Sequence, residues 1–185
     1  QIRMELLCNM IEELELVGSE VDDRQVEDMC DVICSSKRVF GVGKGRSGLI
    51  ARMFAMRLMH MGISAFVIDE VVTPSIQKND CLLICSGSGE TGSLKVIADK
   101  AKSIGASILL ITANAESYLA EKADKKVVIS GYTPKNEKNT HRSIQPMGSQ
   151  FEQLQLLTLD AIVLKIKERL GVTEEEMMMR HANLE

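Results

Sequence analysis

The sequence predicts a doubly wound α/β fold with a parallel sheet, on three observations. Strand and helix patterns alternate between Arg38 and Ile129, two strand-to-helix junctions carry glycine-rich loops, and the strands are continuous apolar runs such as Leu82-Leu83-Ile84 and Val127-Val128-Ile129. Runs of that kind suit strands covered on both faces by helices. In such sheets ligands bind outside the carboxyl ends of the strands, where both glycine-rich loops would fall.

Two helices precede the first strand. Residues 2–17 carry Leu7, Met10, Leu14 and Val17 at helical spacing, and Gly18-Ser19 end that helix and open a second one through about Ser35. Leu6, Ile11 and Leu16 widen the apolar surface of the first helix beyond a single stripe, which predicts packing on another subunit. Strands are then expected over Arg38–Val42, Ser64–Ile68, Cys81–Cys85, Ser107–Ile111 and Lys126–Ile129. Between them fall helices over Arg46–Met61 and Gly92–Ile104 and a short one near Ser117–Glu121. The methionines at 53, 56 and 59 have helical spacing and read as core. From Gly131 to Gly148 the chain turns polar, with Pro134 and Pro146, and a loop of that length is usually functional or mobile. Phe151–Leu170 then forms a long helix with apolar residues on nearly every side, predicted to be buried between subunits as well as in its own. Thr173-Glu174-Glu175-Glu176 is a capping-box pattern opening a last helix, Glu174 to about Arg180.

With 185 residues, 45% hydrophobic and 26% charged, the chain suits one domain with a sizeable core. That domain divides into N-terminal helices at 1–36, an α/β core at 37–170 and a C-terminal tail at 171–185. A net charge of −4 gives no electrostatic reason to expect nucleic-acid binding. The five cysteines, Cys8, Cys30, Cys34, Cys81 and Cys85, sit mostly in apolar runs and lack the close spacing of a thiolate metal knuckle, so no metal is expected. No apolar run approaches the ~18 residues that span a membrane and no signal-peptide pattern is visible, so a cytoplasmic location is expected.

Gly43-Lys44-Gly45-Arg46-Ser47-Gly48 satisfies G-x-G-x-x-G between a strand and a helix, and Asp69 lies 21 residues beyond Gly48. Those features match a dinucleotide fingerprint, and Tyr118…Lys122 mimics the Tyr-x-x-x-Lys pair of short-chain dehydrogenases. The second loop, Ser86-Gly87-Ser88-Gly89-Glu90-Thr91-Gly92, carries three hydroxyls that such a fingerprint does not ask for. Hydroxyls and helix-end amides together satisfy a phosphate monoester, with its many acceptor oxygens and about two negative charges. The plainer alternative is a tight turn with Thr91 or Ser88 as N-cap.

These two loops resemble the phosphosugar loops of the sugar isomerase (SIS) domain. Within that superfamily, Ser143-Ile144-Gln145-Pro146-Met147-Gly148-Ser149-Gln150-Phe151-Glu152 and the terminus Arg180-His181-Ala182-Asn183-Leu184-Glu185 resemble the 6-phospho-3-hexuloisomerase family. The resemblance implies a three-layer, flavodoxin-like sandwich with a five-stranded parallel sheet and two added N-terminal helices. It also implies a homotetramer with shared active sites and, without metal or organic cofactor, interconversion of 3-hexulose 6-phosphate and fructose 6-phosphate through a cis-enediol. That reaction needs a base beside the carbonyl, a donor for the carbonyl oxygen and a grip on the phosphate.

The resemblance makes Glu152 the base, although Ser149-Gln150-Phe151-Glu152 is also a capping box in which Glu would bond the N-cap amide. It makes His181 the second acid or base, on a tail reaching a neighbouring subunit, since imidazole titrates near neutrality. His60 is a third catalytic candidate, or else a helix C-terminal cation favoured by the dipole. Gly45, Arg46, Ser47, Ser86, Ser88 and Thr91 are the expected phosphate and substrate contacts, and His141 and Arg142 in the polar loop are weaker suspects. The competing class is a sugar-phosphate-sensing module, since the same fold binds without turnover in regulators.

Overall fold

A computed structural model describes residues 4–133 and 142–184. Part of the polar loop, including Pro134 and His141, lies outside the described residues, as do residues 1–3 and 185. The elements in chain order are α1 (Glu5–Gly18), α2 (Asp23–Ser35), β1 (Val39–Gly43), α3 (Gly45–His60), β2 (Ala65–Val67) and β3 (Cys81–Cys85). They continue with α4 (Gly92–Ile104), β4 (Ser107–Thr112), α5 (Tyr118–Lys122), β5 (Lys125–Val128), α6 (Ser149–Leu170) and α7 (Glu174–Met179).

The five strands form one sheet in the order β2-β1-β3-β4-β5, with every pair parallel. Strand side chains alternate between faces, so each apolar run feeds two cores. Val39, Cys81, Leu83, Cys85, Leu109 and Ile111 join the core built with α2, α3 and α6. Phe40, Val42, Leu82, Ile84, Ile108 and Leu110 join the one built with α4 and α5. The result is a three-layer α/β/α sandwich, with α1 packed outside on α6. At the amino ends of the strands, Arg38 forks onto the buried Asp80 carboxylate, with a 2.6 Å contact, and ties the start of β1 to that of β3.

Three local expectations fail, each for a geometric reason. Ser19 ends α1 but does not cap a second helix, because α2 begins at Asp23 with Asp22 as its N-cap, whose carboxylate accepts from the Arg24 N–H at 2.9 Å. Met53, Met56 and Met59 are exposed rather than core, because α3 turns Ile50, Ala51, Phe54 and Leu58 toward the interior and carries the methionines on its other face. The capping box expected at Ser149–Glu152 does not form: α6 begins at Ser149 with Gly148 as its N-cap, so Glu152 lies one position too far along the helix to reach back. The Thr173–Glu176 box, by contrast, is complete.

Leu6, Ile11 and Leu16 on α1 and Leu157 and Leu164 on α6 are exposed. Between these helices runs a groove of about 670 Å³ lined by Ile11, Leu14, Leu154 and Leu157. Among the described residues, no helix is long and apolar enough to cross a membrane.

Candidate active site

The chain leaves β1 toward β2 and leaves β3 toward β4, so the sheet order reverses between these two neighbours. A crevice opens at the carboxyl ends of strands at such a point. Here it is a cavity of about 210 Å³ with Lys44 and Ser47 on one wall, Ser86, Ser88 and Thr91 on another, and Gly148, Phe151 and Glu152 closing it from α6.

Besides the charged Lys44 and Glu152, the backbone shapes its electrostatics. The N-cap residues of α3, α4 and α6 are Lys44, Thr91 and Gly148, all three line the cavity, and none gives a side-chain hydrogen bond to its first turn. Elsewhere α2, α5 and α7 are capped by Asp22, Ser117 and Thr173, while α1, away from the cavity, starts uncapped at Met4. Each helix start carries about half a positive charge and unpaired amides, so three of them meeting at one cavity favour an anion there. The first loop reaches this position through close backbone contact: a Cβ on Gly48 would lie 2.7 Å from the Gly43 carbonyl oxygen, and one on Gly43 would lie 2.8 Å from the Gly48 nitrogen. Gly45 takes φ +56° at the turn into α3.

The hydroxyls have a shared polarity. Ser47 Oγ accepts from the side-chain amide of Gln155 at 3.1 Å, Ser86 Oγ from the Gly89 N–H at 3.1 Å, and Ser88 Oγ from the Glu90 N–H at 3.2 Å. Each therefore keeps its own hydrogen to donate, which matches a ligand rich in acceptors. Thr91 makes no cap bond with its hydroxyl. Carbonyl bonds hold the second loop in place, from Thr112 Oγ1 to Gly87 at 3.1 Å and from Asn114 Nδ2 to Ser88 at 3.3 Å.

Of the expected contacts, Ser47, Ser86, Ser88 and Thr91 line the cavity, while Gly45 shapes the turn beside it. Arg46 stands at the rim, where its Nε donates to Glu152 Oε2, and these two residues line a smaller recess of about 180 Å³ next door. Lys44, Thr133 and Met147 also line the cavity and were missed. Lys44 had a signal, as a cation inside the G-x-G turn, and its Nζ lies 3.2 Å from Asp69, the acidic residue of the dinucleotide-like pattern. The Tyr118–Lys122 pair is engaged elsewhere, with the Tyr118 hydroxyl donating to Asp99 at 2.7 Å and the Lys122 ammonium 5.3 Å from its ring centre.

His60 and His181 meet each other but not this cavity within one chain. His60 ends α3, which is 16 residues long. It therefore lies roughly 22 Å along the helix axis from the Gly43–Gly48 loop, at 1.5 Å per residue. Its ring is buried and stacks on His181 with centroids 5.4 Å apart, and Arg57 Nη1 lies 3.2 Å from its Nδ1. Burial, then the charges of Arg57 and His181, hold the His60 imidazole below its usual pKa. Arg180 donates to the His60 carbonyl at 3.1 Å and fixes the tail against the end of α3. Arg142 is exposed and does not line the cavity.

The SIS domain family model matches residues 32–164. The 3-hexulose-6-phosphate isomerase of Bacillus subtilis (strain 168) is 42% identical over 182 residues, 98% of each chain. That of Mycobacterium gastri is 40% identical over 174 residues, 94% of this chain and 87% of its own. Among solved structures, a hypothetical protein of Methanococcus jannaschii, whose crystal structure was used to infer a 3-hexulose-6-phosphate isomerase function, superposes with a TM-score of 0.84. It is 34% identical, over 98% of this chain and 99% of that one. The chain therefore belongs to the SIS domain family, among relatives that include the 3-hexulose-6-phosphate isomerases.

Proposed function

We propose that the chain is a phosphosugar isomerase interconverting D-arabino-3-hexulose 6-phosphate and D-fructose 6-phosphate. The observation that carries this reading is the convergence of three uncapped helix starts and three donor-ready serines beside one carboxylate, Glu152. The phosphate sits among the helix starts and the hydroxyls of Ser47, Ser86, Ser88 and Thr91. Glu152 takes the proton from C2 of the 3-hexulose, the C2–C3 enediol forms as the carbonyl oxygen is protonated, and the proton is returned at C3 as O2 becomes the new carbonyl. One carbon is oxidised and its neighbour reduced, so the reaction balances through proton transfers alone. Arg46, beside the carboxylate, neutralises charge that develops on the enediol oxygens.

His181 is the second acid or base, supplied to a neighbouring subunit's cavity by the 171–185 tail, with His60 stacked behind it as a positioning residue. The exposed apolar faces of α1 and α6 support an assembly of this kind, a homotetramer with shared sites. The whole chain acts as a single domain of that assembly, in the cytoplasm, in the ribulose monophosphate route of formaldehyde fixation. A coupled assay for fructose 6-phosphate formed from 3-hexulose 6-phosphate, with arabinose 5-phosphate and sedoheptulose 7-phosphate as competitors, tests the reading. Turnover selective for the hexulose supports it. Tight binding without turnover would replace it with a sensing module.

A further inference from the structure

Among the described residues, two buried side-chain polar atoms have no hydrogen-bond partner, Thr133 Oγ1 and Gln155 Oε1. Both belong to the neighbourhood of the cavity: Thr133 lines it, and Gln155 donates to Ser47, which lines it. A folded protein leaves few such groups unpaired, because each has given up water without a replacement. Thr133 is 7% exposed.

The position of Thr133 is fixed from two sides. Gly131 lies so close to the first turn of α6 that a Cβ there would stand 3.0 Å from Phe151 Cα, and the Tyr132 N–H donates to the buried Gln150 Oε1 at 2.7 Å. On the other side, the Thr133 methyl packs over the second loop, 3.3 Å from where a Gly87 Cβ would be. The backbone and methyl around Thr133 are thus held in place, and its hydroxyl is buried there without a partner.

We propose that Thr133 binds the sugar part of the substrate, its hydroxyl pairing with a carbon-bound hydroxyl of the phosphosugar between the phosphate and the reacting carbons. The three serines each already accept a hydrogen bond from the protein and suit an acceptor-rich phosphate. Thr133 has both its hydrogen and its lone pairs uncommitted, and a sugar hydroxyl is likewise donor and acceptor. This inference rests on the phosphosugar reading above.

The test is titration calorimetry of wild type, Thr133→Val and Thr133→Ser with fructose 6-phosphate and, separately, inorganic phosphate, alongside thermal unfolding of each ligand-free protein. Valine keeps the shape and removes the hydroxyl. The expected result is a loss on the order of tenfold in fructose 6-phosphate affinity for Thr133→Val, the scale of one hydrogen bond with its partner left unpaired. Phosphate affinity should be unchanged, the melting temperature equal or higher, and affinity largely kept in Thr133→Ser. Unchanged fructose 6-phosphate binding in Thr133→Val overturns the proposal, as does an equal loss of both ligands with a lowered melting temperature. A wild type that binds phosphate but not fructose 6-phosphate overturns the phosphosugar reading and this inference with it.

Discussion

Gln155, on the second turn of α6, donates its side-chain N–H to Ser47 Oγ in the first glycine-rich loop, at 3.1 Å. In that bond the serine is the acceptor, so its own hydrogen stays available to a ligand. Gln155→Leu removes it without adding a buried polar atom. The expected outcome is a KM several-fold higher, the scale of a net hydrogen bond of about 1 kcal/mol, with kcat within about twofold and stability not reduced. Steady-state kinetics with 3-hexulose 6-phosphate, read beside a denaturant melt, checks this; a fall confined to kcat would give Gln155 a different role.

The Gly43–Gly48 contact sets how tightly the first loop can fold against the start of α3. Gly48→Ala would push a Cβ to 2.7 Å from the Gly43 carbonyl oxygen and should cost about 2 kcal/mol or more. Gly92→Ala, where no atom lies within 4 Å of the added Cβ at the start of α4, should stabilise by about 0.4–1 kcal/mol. Urea unfolding of the two variants distinguishes them, and equal effects would mean that the loop yields without cost.

His60 gives the protein a pH dependence of known sign. Its folded pKa lies below the ordinary 6.5, through burial and then the neighbouring Arg57 and His181, so in acid the unfolded chain takes up a proton that the folded one resists. Stability should be indifferent to this group above about pH 6.5 and decline as the pH drops from there through the lowered folded value. In His60→Gln that part of the decline disappears. Denaturation midpoints between pH 8 and pH 5 decide it; parallel curves for the two proteins would remove His60 as the cause.

The proposed sharing of sites between subunits predicts that inactive variants repair each other. Glu152→Gln and His181→Gln, each inactive alone, should regain about a quarter of wild-type activity when dissociated, mixed in equal amounts and reassembled, by random assortment of subunits. Continued inactivity of the mixture, with assembly verified by sedimentation, would contradict the sharing of sites between subunits.

Much of the fold could be read from the sequence because its signals are local. Apolar runs, helical spacing and glycine loops placed the strands and helices within a few residues, and Ser47, Ser86, Ser88 and Thr91 share one cavity because hydroxyls in a strand-to-helix turn are a short-range pattern. What could not be read depends on contacts distant in sequence. Arg46 and Glu152 meet across 106 positions. Spacing alone gave the methionines at 53, 56 and 59 no indication of which face of α3 would be covered. A shift of one residue in the start of α6 separates a capping glutamate from one that faces Arg46 and the cavity. Thr133 carried no motif at all, and only its burial without a partner draws attention to it.

The central claim, that Glu152 performs the proton transfer while the helix starts and serines hold the phosphate, is tested most directly by one variant. Glu152→Gln should form fructose 6-phosphate from 3-hexulose 6-phosphate on the order of 10²–10⁴ times more slowly than wild type, the usual contribution of a general base, while binding fructose 6-phosphate within a few-fold of wild type. Near wild-type turnover in that variant would contradict it.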